Sequence, residues 1–167
     1  MVGIDSMVLV YAGLVPRKSS KVPQAPRELT IRAKILLYMH RDDTIVLPTV
    51  AISEILVPVP TSHKGALVAT LVSKFVCPSF DLPAAAIAAE LWSQHKNLPR
   101  DLQYDSRHVL RSDAMIVASA KSAGATEFFS HDRRCRALAT LVMTARDLPT
   151  RDPNDMFLLA DIERGEV

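Results

Sequence analysis

The sequence predicts an α/β fold, and three observations carry that expectation. Short apolar runs, near the N-terminus ("MVGI"), at 44–47 ("TIVL") and at 127–130 ("EFFS"), alternate with longer stretches whose apolar residues recur at helical spacing. Gly13, Pro16, Pro48, Pro58, Pro60 and Gly124 fall between these segments, where breakers punctuate elements. Two of the short runs are followed within two residues by an acidic residue and then by helical patterning, at Asp5 and Asp132. That is where open α/β sheets bind ligands.

Taken in order, residues 1–5 form a first strand, and Ser6 to Gly13 a helical turn or two stopped by Gly13 and Pro16. Residues 16–28, "PRKSSKVPQAPRE", hold three prolines and four basic residues, so the region 14–28 reads as an extended basic loop. Ile31, Ile35, Leu36 and Met39 have helical spacing within 29–39, and 44–47 is a second strand ended by Pro48. "TVAISEIL" from Thr49 is a short helix closed by Pro58 and Pro60. Helices follow at 62–76 and 83–95, with "FVCPSFDL" between them as a broken strand and turn. The polar stretch 96–111 reads as loop or irregular helix, and 112–123 is a helix closed by Gly124. A strand at 127–130, a helix at 133–140 and a last strand at "LVMTA" follow, and the chain shows no internal repeat.

Composition sets the broad class. The chain has 167 residues, 49% hydrophobic and 23% charged, which suits one globular domain spanning 1–167. Twenty Lys and Arg against eighteen Asp and Glu leave a net charge of +2, compatible with a nucleic-acid partner without requiring one. Cys77 and Cys135 belong to no CxxC and no zinc-like pattern, so they read as core thiols of a reduced cytosol. The start of the chain lacks a signal-peptide pattern, and no apolar run reaches about 18 residues. The expectation is a cytoplasmic protein with no membrane attachment.

Four carboxylates stand in unusual places. Asp5 follows the first strand. Glu54 shares a helical row with Val50, Ala51 and Val57, on the face expected to be buried, where an ionised Glu without a partner costs several kcal/mol. Asp113 lines up with Ile116, Val117 and Ala120 on the inward stripe of its helix, and Asp132 sits between a short strand and a helix as Asp5 does. Judged alone, Asp5, Asp113 and Asp132 also fit as helix caps or first-turn acids, and Glu54 as a surface ion-pair partner. Taken together they have one cause if the strands before Asp5 and Asp132 lie side by side and parallel, with Glu54 and Asp113 pointing into the crevice beside them.

Two unit charges about 4 Å apart repel by roughly 4 kcal/mol at an effective dielectric of 20, so such a cluster calls for a cation. An all-carboxylate set selects Mg²⁺ or Mn²⁺ over zinc, leaving positions for water and phosphate, a combination suited to phosphodiester hydrolysis. Ser6 and Ser130 offer hydroxyls to orient a ligand or water.

The ordered set "GIDSMVLV", "VAISEILVP", "SDAMIVASAKSAGA" and "FFSHDRRCRAL" resembles the PIN domain, and within it VapC-type toxins of toxin–antitoxin pairs, over nearly the whole chain. The resemblance places the family's acidic quartet on Asp5, Glu54, Asp113 and Asp132, and its Ser or Thr two residues before the last Asp on Ser130. It implies a three-layer α/β/α sandwich with a five-stranded parallel sheet, Mg²⁺- or Mn²⁺-dependent cleavage of single-stranded RNA, a cognate antitoxin and a homodimer. Two departures stand out: Met7 where the family often has a small polar residue, and extra length at 14–28 and 96–111, which leaves room for a stand-alone RNA-processing role.

Candidate RNA contacts are the basic residues Arg17, Lys18, Lys21 and Arg27, then Lys96, Arg100, Arg107 and Arg111, then Arg133, Arg134 and Arg136. Arg111 and Arg133 are the better choices because they flank Asp113 and Asp132 in sequence; any of these cations also fits a solvated surface. Tyr104 could stack a base, whereas Trp92 in "AAIAAELW" reads as core. His108 and His131 have no partner at ligand spacing, so neither is read as a general base. Two other classes compete: a haloacid-dehalogenase phosphohydrolase with Asp5 as nucleophile, opposed by Met7 where its second Asp would stand, and a non-catalytic binding module, opposed by the intact quartet.

Overall fold

The computed structural model describes residues 1–16, 25–150 and 160. A four-stranded sheet, β1 (Val2–Ile4), β2 (Ile45–Val46), β3 (Glu127–Phe129) and β4 (Thr144–Arg146), runs in the order β2-β1-β3-β4, every pair parallel. Around it lie α1 (Ser6–Tyr11), α2 (Arg27–Met39), α3 (Thr49–Leu56), α4 (Thr61–Lys74), α5 (Leu82–Gln94), α6 (Arg107–Ser122) and α7 (Arg133–Ala139). Parallel strands need crossovers, and the helices supply them.

From β1 the chain leaves outward to β2, and from β3 it leaves in the opposite direction to β4. Adjacent strands whose connections part in this way open a crevice at their carboxyl ends, the usual ligand position of a parallel α/β sheet. Ile4 pairs with Phe129, and the Asp5 N–H donates to the Phe129 carbonyl at 3.0 Å, so Asp5 and Ser130 stand level at that crevice. The side-by-side, parallel placement expected for these two strands is the one observed.

The core explains the register. Val2 and Ile4 of β1, Phe128 and Phe129 of β3, and Ala114, Ile116, Val117, Ala118 and Ala120 of α6 are buried. Gly3 allows α6 to lie close on the sheet: a Cβ there would meet Phe128 Cδ2 at 2.9 Å and Ala120 Cβ at 3.0 Å. Gly124, at φ +93°, ends α6 in a left-handed cap, with the Ala125 N–H bonded back to the Ala120 carbonyl at 3.0 Å.

Three expectations need correction. The sheet has four strands rather than five; the predicted strand in "FVCPSFDL" is reduced to one parallel bridge, Val46 to Val76. Pro78 follows two residues later, lacks an N–H for the ladder and instead accepts from the Thr49 N–H at 3.0 Å. Next, α6 begins at Arg107, not Ser112, because Leu110 is already on its buried stripe and brings the first turn into the helix. The rest of 96–111 holds two 3-10 turns, His95–Asn97 and Arg100–Leu102. Finally, Trp92 is 38% exposed: Ala84, Ala88 and Leu91 form the buried stripe of α5, and Trp92 is turned off it. No helix among the described residues is long and apolar enough to cross a membrane.

Candidate active site

Asp5 occupies the N-cap position of α1 in an extended conformation, yet its side chain caps nothing. Its Oδ2 accepts from the Ser130 hydroxyl at 2.8 Å, and its Oδ1 lies 3.2 Å from the Ser6 hydroxyl. Asp5, Ser6 and Ser130 are all buried. The cap explanation therefore fails for Asp5. Burial pushes its carboxyl above the usual range, the nearby Glu54 charge adds to this, and the Ser130 and Ser6 hydrogen bonds oppose it.

Glu54 comes from α3 and is half-buried; the row predicted to carry it inward is only partly buried, since Val57 is exposed. Its Oε2 accepts from Ser6 at 2.9 Å and its Oε1 from the Ser112 hydroxyl. Ser6 has one hydroxyl proton for two carboxylates, and the shorter contact is to Glu54. The Ser6 contact to Asp5, at 3.2 Å, is the longer of its two.

Asp113 lies in the second turn of α6, so it is neither an N-cap nor a first-turn acid. Its helical row was read correctly: Ile116, Val117 and Ala120 are fully buried. Asp113 Oδ2 accepts from the Tyr104 phenol at 2.7 Å. Burial pushes the Asp113 carboxyl up to about 7, with Asp5, Asp132 and Glu54 adding to the rise and the Tyr104 hydrogen bond opposing it. Asp132 does cap: its Oδ1 accepts from the N–H groups of Arg134 and Cys135 at 2.7 and 3.1 Å. Its own N–H donates to Ser130 Oγ at 3.0 Å, so Ser130 bridges Asp5 and Asp132.

The fold thus brings the four acids and both serines named from sequence to one crevice, where Asp113 feels the charges of the other three. Burial raises the Cys135 thiol well above its usual range, and Asp5, Asp113 and Asp132 raise it further. Among the described residues, no group of three or more His, Cys, Asp or Glu side chains stands as a ready-made ligand shell for a metal ion.

The basic residues are less concentrated. Arg17, Lys18 and Lys21 lie outside the described residues. Arg111 lays its guanidinium 5.4 Å from the centre of the Trp92 ring, and Arg133, largely exposed, meets Asp101 at 3.3 Å. Tyr104 packs its ring against the core with its hydroxyl on Asp113, a role different from the expected base stacking. Ser112 was missed, although it precedes Asp113 directly. His131 has a partner that spacing did not disclose: its Nδ1 lies 2.9 Å from Asp147 Oδ1. For Asp147, burial alone would raise the carboxyl; hydrogen bonds from His131 and the Leu148 N–H, with the Arg136 charge, outweigh it and hold the group below its ordinary value. The Tyr11 and His131 rings stand nearly perpendicular, with their centres 5.8 Å apart.

No protein-family model matches the chain, and no curated protein matches it in sequence. Solved structures do resemble it. A chain in the crystal structure of VapBC2 from Rickettsia felis bound to a DNA fragment from their promoter superposes with a TM-score of 0.58 at 11% identity, covering 89% of this chain and 100% of that one. A chain of DNA-bound VapBC from Salmonella typhimurium gives 0.56 at 12% identity, with 89% and 98% covered. At such identities the likeness establishes the fold: a parallel sheet flanked by helices, shared with chains of VapBC complexes over nearly the full length.

Proposed function

We propose that this chain is a PIN-type endoribonuclease that cleaves single-stranded RNA with a divalent cation, and that it acts in the cytoplasm as the toxin of a toxin–antitoxin pair. The observation that carries this reading is the gathering of Asp5, Glu54, Asp113 and Asp132, from four separate segments, at the switch point of a parallel sheet. The shared fold with chains of VapBC complexes supports the toxin assignment and an antitoxin partner, and a homodimer belongs to the same reading.

The donor set fits a hard cation. Four carboxylates in one crevice, two with raised pKa values, mark negative charge that the described side chains leave uncompensated. Asp5, Glu54, Asp113 and Asp132 would hold Mg²⁺ or Mn²⁺, exchanging some hydroxyl contacts for the ion. When bound, the cation supplies charge neutralisation and Lewis-acid activation of water beside the scissile phosphate. Ser6 and Ser130 orient the Asp5 oxygens, Ser6 and Ser112 those of Glu54. In this reading Arg133, beside Asp132 and largely exposed, would meet phosphate, and Arg111, over Trp92, would offer a stacked cation.

The test is cleavage of labelled single-stranded RNA with Mg²⁺ or Mn²⁺. Cleavage should stop with EDTA and fall at least about a hundredfold in Asp5→Asn and Asp113→Asn, with melting temperatures showing both folded. Full activity in both variants rules the reading out. RNA binding without cleavage in the wild type would leave a non-catalytic module.

A further inference from the structure

The segment between α5 and α6 carries two 3-10 turns, His95–Asn97 and Arg100–Leu102. It is held in shape by its own bonds: the Gln103 amide donates to the carbonyls of Lys96 and Leu98, both at 2.9 Å, and the Leu102 N–H to Pro99 at 2.8 Å. From this frame three side chains reach out. Asp101 meets Arg133 at 3.3 Å and Asp105 meets Arg134 at 2.8 Å, both on the first turn of α7, directly after Asp132. Tyr104 reaches α6 and donates to Asp113 Oδ2 at 2.7 Å, the one hydrogen bond the Asp113 carboxylate makes among the described residues. The segment therefore ties together the two elements that bear Asp113 and Asp132.

We propose that residues 95–105 form a brace for the carboxylate cluster and that Tyr104 is its positioning residue, fixing the Asp113 carboxylate so that the cluster takes up a divalent cation. The proposal rests on the nuclease reading above. Tyr104 touches neither substrate nor cation in this role; it acts through Asp113. A hydrogen bond from a packed phenol fixes one oxygen of a ligating carboxylate and leaves the other available, which is how outer partners set the affinity of a metal site.

The test is Mn²⁺ binding by the full chain, followed by the loss of the free-ion EPR signal and independent of any RNA. Tyr104→Phe keeps the ring and removes the donor; it should weaken Mn²⁺ binding about tenfold with the fold retained, and Asp113→Asn should weaken it more. Arg134→Ala provides a second arm that does not disturb the Tyr104 ring. It removes a positive charge, which by itself would strengthen cation binding, whereas a loosened brace should weaken binding about twofold, the scale of an exposed ion pair. Wild-type affinity in Tyr104→Phe, with binding lost in Asp113→Asn, overturns the brace and leaves the nuclease reading standing. Equal or tighter binding by Arg134→Ala overturns the link to α7. A wild-type chain that binds no Mn²⁺ removes both proposals.

Discussion

The two sides of the crevice are built differently. On the side of Asp5 and Glu54, three serine hydroxyls serve four carboxylate oxygens, and Ser6 and Ser130 among them are buried at 6% and 0% exposure. On the other side, Asp113 depends on a phenol from the segment before α6, and Asp132 on backbone N–H groups of α7. Those supports are secured at the surface by ion pairs such as Arg134 with Asp105. The first side is held by buried hydroxyls, whereas the second is tied in part by exposed ion pairs that substitutions can tune. Burial makes Asp5 and Asp113 reluctant to ionise, and Asp113 also feels the charges of Asp5 and Glu54 across the crevice.

The largest expected effect concerns pH. The Asp113 carboxyl is pushed from an ordinary value near 3.8 up to about 7, so between these values the folded chain holds a proton that the unfolded chain releases. Stability from that proton is fully present below about pH 4 and is lost as pH rises through about 7. Denaturant midpoints of the metal-free protein should therefore fall across this window, and Asp113→Asn should flatten much of the fall. The slope that remains belongs to Asp5, whose shift has the same sign. A profile unchanged in Asp113→Asn would place the charge stress on the serine-lined side alone.

Ser130→Ala should cost about 2 kcal/mol in urea unfolding at neutral pH, because it removes a donor to a buried carboxylate together with the acceptor for the Asp132 N–H. A cost below about 0.5 kcal/mol would mean that the two sides are not joined through this hydroxyl.

Asp132 separates capping from charge. Asp132→Ala should lose about 1 kcal/mol, as other lost N-caps do, while Asp132→Asn keeps an oxygen for the Arg134 and Cys135 N–H groups and should stay within about 0.5 kcal/mol of the wild type. Both variants should lose RNA cleavage. Activity retained in Asp132→Asn would reduce this residue to its cap.

Much of this arrangement was legible in the sequence because it follows from short-range rules. A strand ending at Ile4, another at Phe129 and the parallel-sheet switch point put Asp5 and Ser130 together, and helical spacing put Asp113 beside buried Ile116 and Val117. What escaped lies in contacts that no local pattern encodes. Ser112 meets Glu54 across 58 residues, and His131 meets Asp147 across 16. Tyr104 is only nine residues from Asp113, but it lies before α6 in the polar stretch 96–111, where no periodicity says which way a side chain turns. Trp92 misled for the opposite reason: an alanine-rich helix looks apolar all round, and only tertiary packing selects which face is covered.

The smallest effect tests the exposed side's surface ties. Arg133 and Asp101 stand 3.3 Å apart with side chains 72% and 66% exposed, so Arg133→Ala should change stability by less than about 0.5 kcal/mol. Its effect on RNA should be larger if the guanidinium leaves Asp101 for phosphate. Each phosphate contact adds about 0.7 to the slope of log affinity against log salt for a single strand, so Arg133→Ala should lower that slope by this amount and weaken different sequences alike. Because Asp101 competes for the same guanidinium, Asp101→Ala should tighten RNA binding slightly. An unchanged salt slope in Arg133→Ala would leave this arginine as a structural tie of the exposed side, with RNA held elsewhere.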